Sequence, residues 1–157
     1  MRLIQQEAEK TDTDPKAIAC YGLLRVDTGQ MLLRFVEGRP VSGVTIGFLS
    51  WLCARLAEEG KRALLMIWDN ASWHISKAVR VWVTSHNRKV KQEGGCRLLV
   101  CRLPSKSPWL NNIEPKWVHG KRAVIEPDGK LRADELKGRL CDYYQCECLE
   151  PISQYVT

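Results

Sequence analysis

The sequence predicts an α/β layer fold, and three observations carry that prediction. Short apolar runs of strand length alternate with segments of helical period, turn residues separate them, and no internal repeat interrupts the order. At 157 residues, with 45% hydrophobic side chains and six tryptophans, the chain fits one domain and can bury an ordinary core.

Taken in order, residues 1–15 are polar and acidic, with Asp12 and Asp14 ahead of Pro15. They show neither a two-residue nor a 3.6-residue apolar period and read as an arm. Lys16–Val26 is an apolar run, Asp27-Thr28-Gly29-Gln30 supplies turn chemistry, and Met31–Val36 is a second run. Together they predict an antiparallel hairpin. Beyond the turn Gly38-Arg39-Pro40, Phe48, Leu49, Leu52, Cys53 and Leu56 recur at helical spacing, with Ser42 or Thr45 as cap and Gly60 as stop.

Ala63–Trp68 then reads as a buried strand whose carboxyl end presents Asp69. A helix is expected from about Ser72 to about Lys91, capped by Ser72, carrying Ile75, Val79, Trp82 and Val83 on one face and ended by Glu93-Gly94-Gly95. Arg97–Leu103 is another strand, and Pro104–Pro108 a rigid basic loop. The next helix spans Leu110 to about Val124. Because proline is tolerated only in a first turn, Asn111 or Asn112 falls at its cap, with Glu114 and Pro115 in that turn. A last helix, about Ala133 to Tyr144, is amphipathic through Leu136, Leu140 and Tyr143. One domain over residues 16–145, with a tail over 146–157, is the expected organisation.

Composition narrows the function. No apolar run approaches the roughly 20 residues of a membrane span, and Met1-Arg2 precedes no signal-like stretch, so a cytoplasmic protein without a membrane partner is expected. Seven cysteines is an odd number, and Cys20, Cys53 and Cys101 sit in apolar surroundings, which predicts reduced core thiols. Cys146 and Cys148 have C-x-C spacing rather than the C-x2-C of a zinc knuckle, and no histidine follows Cys141.

The net charge is +6 and unevenly spread. Residues 1–73 hold nine basic and nine acidic side chains, 74–132 hold thirteen and four, and 133–157 hold two and five. A basic excess in one stretch points to a polyanion, with nucleic acid the natural candidate. Lys77, Arg80, Arg88, Lys106, Lys116, Lys121 and Arg122 are the candidate phosphate contacts.

Two carboxylates carry the chemistry. Asp69 stands where an apolar strand stops, so it is exposed at a sheet rim; as an aspartate before a helix it also suits an N-cap. Asn70 tolerates a tight strand-to-helix turn, and His74 reads as a helix-start residue bonding locally. Glu114 is flanked by Pro108, Trp109, Leu110, Ile113 and Trp117, an unusually apolar setting for a charge, though a first-turn acid gains roughly 0.3 to 1 kcal/mol from the helix dipole. Two carboxylates that converge on a divalent metal can activate an oxygen nucleophile against phosphate.

The segments WDNASWH (68–74), LLVCRLP (98–104) and SPWLNNIEPKW (107–117) resemble the second and third blocks of DDE transposases of bacterial insertion sequences related to mariner elements. In that family a strand-borne D-N-x-x-x-H supplies the second catalytic aspartate, and L-P-x-x-S-P-x-L-N-P-I-E-x-x-W the glutamate. Matched residue by residue, Asp69 takes the second acid and Glu114 the third, while Leu103, Pro104, Ser107, Pro108, Leu110, Asn111, Ile113 and Trp117 fill the loop pattern. The likeness runs from about Lys16 to about Tyr144. It implies an RNase H-like mixed sheet flanked by helices, a two-metal site using magnesium or manganese, and transposon-end DNA as partner for strand cleavage and transfer.

Asn112 departs from the family's usual proline, and no acid corresponds to the family's first aspartate, which ends a central strand ahead of the hairpin. Asp12 and Asp14 lie in the polar arm, Asp27 in the hairpin turn, and Glu37 at a Gly-Arg-Pro turn. The expectation is therefore a partial catalytic domain without its central strand or the family's helix-turn-helix region, inactive alone. A module that binds DNA or dimerises with an intact transposase is the second reading. A stand-alone RNase H-like nuclease, drawing a third acid from Asp27 or Glu37, is the third.

Overall fold

Backbone pairing organises the chain around two small sheets. The computed structural model describes residues 2–5, 17–37, 41–125 and 131–152, which fall into two compact units. One is built from residues 1–39 and 112–153 and the other from 40–111. The mixed α/β class expected from the sequence is observed, and the chain leaves the first unit for the second and then returns.

In the first unit, β2 (Ala17–Leu24) and β3 (Met31–Val36) form the expected antiparallel hairpin, with Leu24 opposite Met31. The turn is closed by Arg25 N–H to the Gln30 carbonyl at 2.9 Å, with Gly29 at φ +71°. Two edges of this hairpin are occupied by segments that read as arm and tail. β1 (Arg2–Gln5) pairs antiparallel with β2, Arg2 opposite Cys20, and Ile152 bridges Val36 in parallel through its N–H to the Phe35 carbonyl at 2.8 Å. The arm and tail assignments are corrected to that extent. Four residues are too few to show a period, and it is the unpaired edge groups of the hairpin that select their partners.

The helix pair α4 (Glu114–Ile125) and α5 (Ala133–Tyr144) covers one face of this sheet. Met31, Leu33 and Phe35, alternating along β3, meet Trp117 and Val124 of α4 and Leu136, Leu140 and Cys141 of α5 in one buried cluster. The α5 boundaries match the sequence expectation, and Arg132 N–H donates to Glu135 Oε2 at 3.0 Å to fix its start. A side chain at Gly22 would collide with the Trp117 ring, and one at Gly120 with the Tyr144 phenol, so both glycines permit close packing.

In the second unit, α1 (Ser42–Glu58) buries Phe48, Leu49, Leu52, Cys53 and Leu56, as their spacing predicts, together with Val44 and Thr45. Val41 rather than Ser42 or Thr45 is its N-cap, without a side-chain bond. It ends as expected at Gly60 (φ +81°), where Gly60 N–H reaches the Ala57 carbonyl and Lys61 N–H the Leu56 carbonyl. β4 (Ala63–Trp68) and β5 (Arg97–Arg102) pair in parallel, joined through α2 (Ser72–Ile75) and α3 (Lys77–Glu93).

The single helix expected from Ser72 is two. Ser76 is extended (ψ 154°) and its Oγ accepts the Val79 N–H at 3.3 Å, while Ala71, not Ser72, is the cap of α2. β4 is buried on one face only: Met66 and Trp68 are covered, whereas Leu65 and Ile67 are exposed. Cys101, expected in the core, is likewise exposed on β5. All seven cysteines are free, and burial pushes the Cys53 thiol up to about 12.

Side chains of α3 cap the backbone of β5. Asn87 Nδ2 donates to the Leu98 carbonyl at 2.8 Å while Leu98 N–H donates to Asn87 Oδ1 at 2.9 Å, and His86 Nε2 lies 2.8 Å from the Cys96 carbonyl. This amide clamp satisfies both backbone groups of a residue that is fully buried. Asn87→Ala should lower unfolding free energy by about 1 to 3 kcal/mol in urea titration, because it strands a buried donor and acceptor. Gly22→Ala should lower it by about 1 to 3 kcal/mol through overpacking against Trp117, and the double variant with Trp117→Phe should recover part of that loss.

Candidate active site

The carboxyl ends of β4 and β5 lie side by side, with Trp68 opposite Arg102. In open parallel sheets the crevice beyond these ends is where ligands bind. Two hydrogen bonds extend the pairing past the strands: Leu103 N–H to the Trp68 carbonyl at 3.0 Å, and Asn70 Nδ2 to the Leu103 carbonyl at 2.8 Å. Asn70 thus holds the β5 loop against the residues that follow β4.

Asp69 sits between those bonds. Its Oδ1 accepts the Ala71 N–H at 3.1 Å and lies 2.9 Å from His74 Nδ1. The short-range bond to Ala71 is the turn-type contact expected of an aspartate before a helix. The bond to His74 is more specific, since that imidazole is buried and stacked on the Trp68 indole, with centroids 4.8 Å apart and planes 3° from parallel. Stacking fixes the ring, and the ring orients the carboxylate. His74 therefore does bond locally, but to Asp69 rather than to the helix start.

The His74 hydrogen bond, helped by the Ala71 N–H and opposed by partial burial, holds the Asp69 carboxyl down at about 2. Asp69 is ionised at neutral pH. Among the described residues both of its hydrogen bonds fall on Oδ1, and its side chain is 48% exposed, which leaves Oδ2 to a ligand. The Trp68 indole N–H beneath is buried without a hydrogen-bond partner among the described residues.

Past Leu103 the chain turns through Lys106 at φ +58° into a 3₁₀ turn, Pro108–Leu110, closed by Leu110 N–H to the Ser107 carbonyl and Asn111 N–H to the Pro108 carbonyl. Asn111 and Asn112 precede α4 instead of capping it. The first helical bond runs from Trp117 N–H to the Ile113 carbonyl at 3.2 Å, because Pro115 can sit only this close to the start. Glu114 and Pro115 do lie in the first turn, as expected, and Glu114 is half-buried. Asp69, Asn70, His74 and Asn111 belong to the second unit and Glu114 to the first.

The candidate phosphate contacts are all exposed. Lys77, Arg80 and Arg88 share one face of α3, opposite Val79, His86 and Val90. Lys106 is on the loop, and Lys116, Lys121 and Arg122 are on α4, Lys116 and Arg122 turned away from buried Trp117 and Val124 and Lys121 along the stripe that carries them. Of the other acids considered, Asp27 binds Arg25 with both oxygens, at 3.1 and 2.9 Å, and Glu37 is exposed at the end of β3. Asp12 and Asp14 lie outside the described residues. No group of three His, Cys, Asp or Glu side chains among the described residues is placed to hold a metal.

A family described as DDE superfamily endonuclease matches the chain over residues 5–137. No curated protein matches it. No helix of the described residues is long and apolar enough to cross a membrane.

The Asp69 geometry makes a pH prediction. Its folded pKa lies below the ordinary 3.8, so its contribution is present above about pH 4 and is lost as pH falls from about 4 to about 2. Solvent screening of a half-exposed carboxylate limits that contribution to about 1 kcal/mol or less. Carboxyl-carbon NMR should give Asp69 a midpoint near 2, and His74→Phe, which keeps a ring over Trp68, should move it up toward 3.8. A wild-type midpoint at the ordinary value would overturn the assigned role of His74.

Proposed function

The chain belongs to the DDE superfamily endonuclease family, and on that premise we propose that Asp69 and Glu114 are two of the acids of a metal-dependent site for DNA strand cleavage and transfer in transposition. Endonucleases of this family act on DNA and depend on divalent metal ions. The mixed α/β architecture, with its antiparallel and parallel sheets and flanking helices, is consistent with the RNase H-like fold of such domains.

One observation supports the assignment most strongly. Asp69 is held ionised at the carboxyl ends of two parallel strands, with Oδ1 anchored by His74 and Ala71 and Oδ2 left to a ligand. Hydrogen bonding one oxygen of a ligating carboxylate while the other faces the ion is how proteins orient such ligands. This donor chemistry fits magnesium or manganese, hard cations that prefer carboxylate oxygens, and the bound ion supplies positive charge to the attacking and leaving oxygens of an in-line displacement. Asp69 and Glu114 would hold it. His74 positions Asp69 through a hydrogen bond, and Asn70 fixes the loop beside it. Lys77, Arg80, Arg88, Lys106, Lys116, Lys121 and Arg122 bind phosphates along the DNA.

The chain by itself supplies two assigned acids and is inactive in cutting on this reading. Of the two alternatives, Asp27 has both oxygens engaged by Arg25, and Glu37 is exposed at the end of β3. Incubated with magnesium or manganese and a DNA bearing its element's terminal repeats, the purified chain should bind without cutting. Robust cleavage that disappears in Asp69→Ala would overturn the two-acid reading in favour of a self-sufficient nuclease.

The exposed basic face of α3 favours a second reading, in which the chain binds DNA or pairs with an intact transposase without catalysis. If all seven basic side chains contact phosphate, the slope of log affinity against log salt should approach about −6. Replacing Arg80 or Arg88 by alanine should reduce it by about 1 each. A salt-independent association with intact transposase would instead support protein pairing.

A further inference from the structure

Trp109 is the most exposed large apolar side chain of the loop that Asn70 holds beside Asp69: its surface is 75% accessible, and Leu110 after it is 49% accessible. An indole left in water forgoes the free energy of burying its large apolar surface. Among the described residues the ring makes none of the aromatic contacts that engage Trp51, Trp68, Trp82 and Trp117. Its backbone, by contrast, is fixed. The 3₁₀ turn Pro108–Leu110 is closed at both ends, by Leu110 N–H to Ser107 at 3.1 Å and Asn111 N–H to Pro108 at 3.0 Å, and Pro108 locks φ at the turn's first residue.

The loop that carries that ring is basic. Lys106, exposed and turned by a positive φ, lies on the same loop, and Arg102 ends the strand that leads into it; neither makes an ion pair among the described residues. No acidic residue occurs between Arg97 and Ile113. A rigid, exposed aromatic set among unpaired cations is the combination that binds a nucleic-acid strand through a stacked base and a neutralised backbone. A protein partner docking on apolar surface alone would gain nothing from the cations.

We infer that Trp109 is a stacking platform for an unpaired base of the DNA strand end, with Lys106 on the adjoining phosphate. The inference rests on the DNA-cleaving reading of the Asp69 site and adds the substrate form: an end in which at least one nucleotide is unstacked from the duplex. Paired bases bury their faces against their neighbours, so only a frayed, flipped or single-stranded nucleotide offers a free face to the indole. Trp109 touches no reacting atom and acts as a binding residue.

The full chain is tested by fluorescence anisotropy with two labelled DNAs of one sequence, one fully paired and one with an unpaired single-stranded end. Stacking contributes a factor of roughly 5 to 150 per base. Trp109→Ala should weaken binding of the unpaired-end DNA by about that factor and change binding of the paired duplex less than about twofold. Trp109→Phe should keep most of the preference, and Lys106→Ala should weaken both DNAs and lower the salt slope by about 1. Circular dichroism checks that each variant is folded, and the exposed position predicts that it is. If wild type binds DNA but Trp109→Ala loses affinity for both forms equally, or for neither, the stacking role is overturned while the DNA reading stands. If wild type binds neither DNA, both fall. If Trp109→Ala changes only self-association in sedimentation, the ring is a contact between copies and the inference is wrong.

Discussion

Parallel pairing of Ala63–Trp68 with Arg97–Arg102 is the constraint on which the candidate site depends. Parallel neighbours cannot be joined by a tight turn, so the chain must travel back along the sheet, and α3 is that return path. The geometry has two consequences. It brings both strand ends to one side, where Asp69 and the loop from Leu103 meet, and it lays α3 over the covered face of the strands. The basic stripe of α3 and the acidic residue at the strand end are thus products of one connection.

Polar satisfaction then makes that connection specific. Asn87 answers both backbone groups of Leu98, His86 approaches the carbonyl of Cys96, and Asn70 takes the carbonyl of Leu103. An unmade bond at a buried backbone group costs more than a made one contributes, so these amides define the register of helix against strand more sharply than apolar contacts can. Asp69 itself is treated the same way, with one oxygen fixed and the other presented. A carboxylate that is ionised, oriented and half-exposed is suited to a cation; one used only as a helix cap would need no stacked histidine behind it.

Much of this was legible in the residues. The hairpin, α1 with its Gly60 stop, the strand ending at Asp69 and the last helix over Ala133–Tyr144 follow from period and turn chemistry, because those signals are local. The motifs around Asp69 and Glu114 resemble DDE transposases, and the chain's membership of the DDE superfamily endonuclease family agrees with that likeness. What was misread has nonlocal causes. Arg2–Gln5 is a strand only because β2 offers an edge, Ile152 is ordered only because β3 does, and Ser76 breaks a helix whose apolar period runs straight through it.

The sequence by itself determined the order of elements, the family, and which side chains carry charge, since each of these is written in local spacing and residue type. Tertiary structure alone decided that His74 is the residue behind Asp69, that Asn70 serves the loop and not its own turn, and that Trp109 stands exposed while Trp68 and Trp117 are covered. The physical reason is that hydrogen-bond partners and burial depend on which segments the folded backbone brings together. No one-dimensional pattern records that choice.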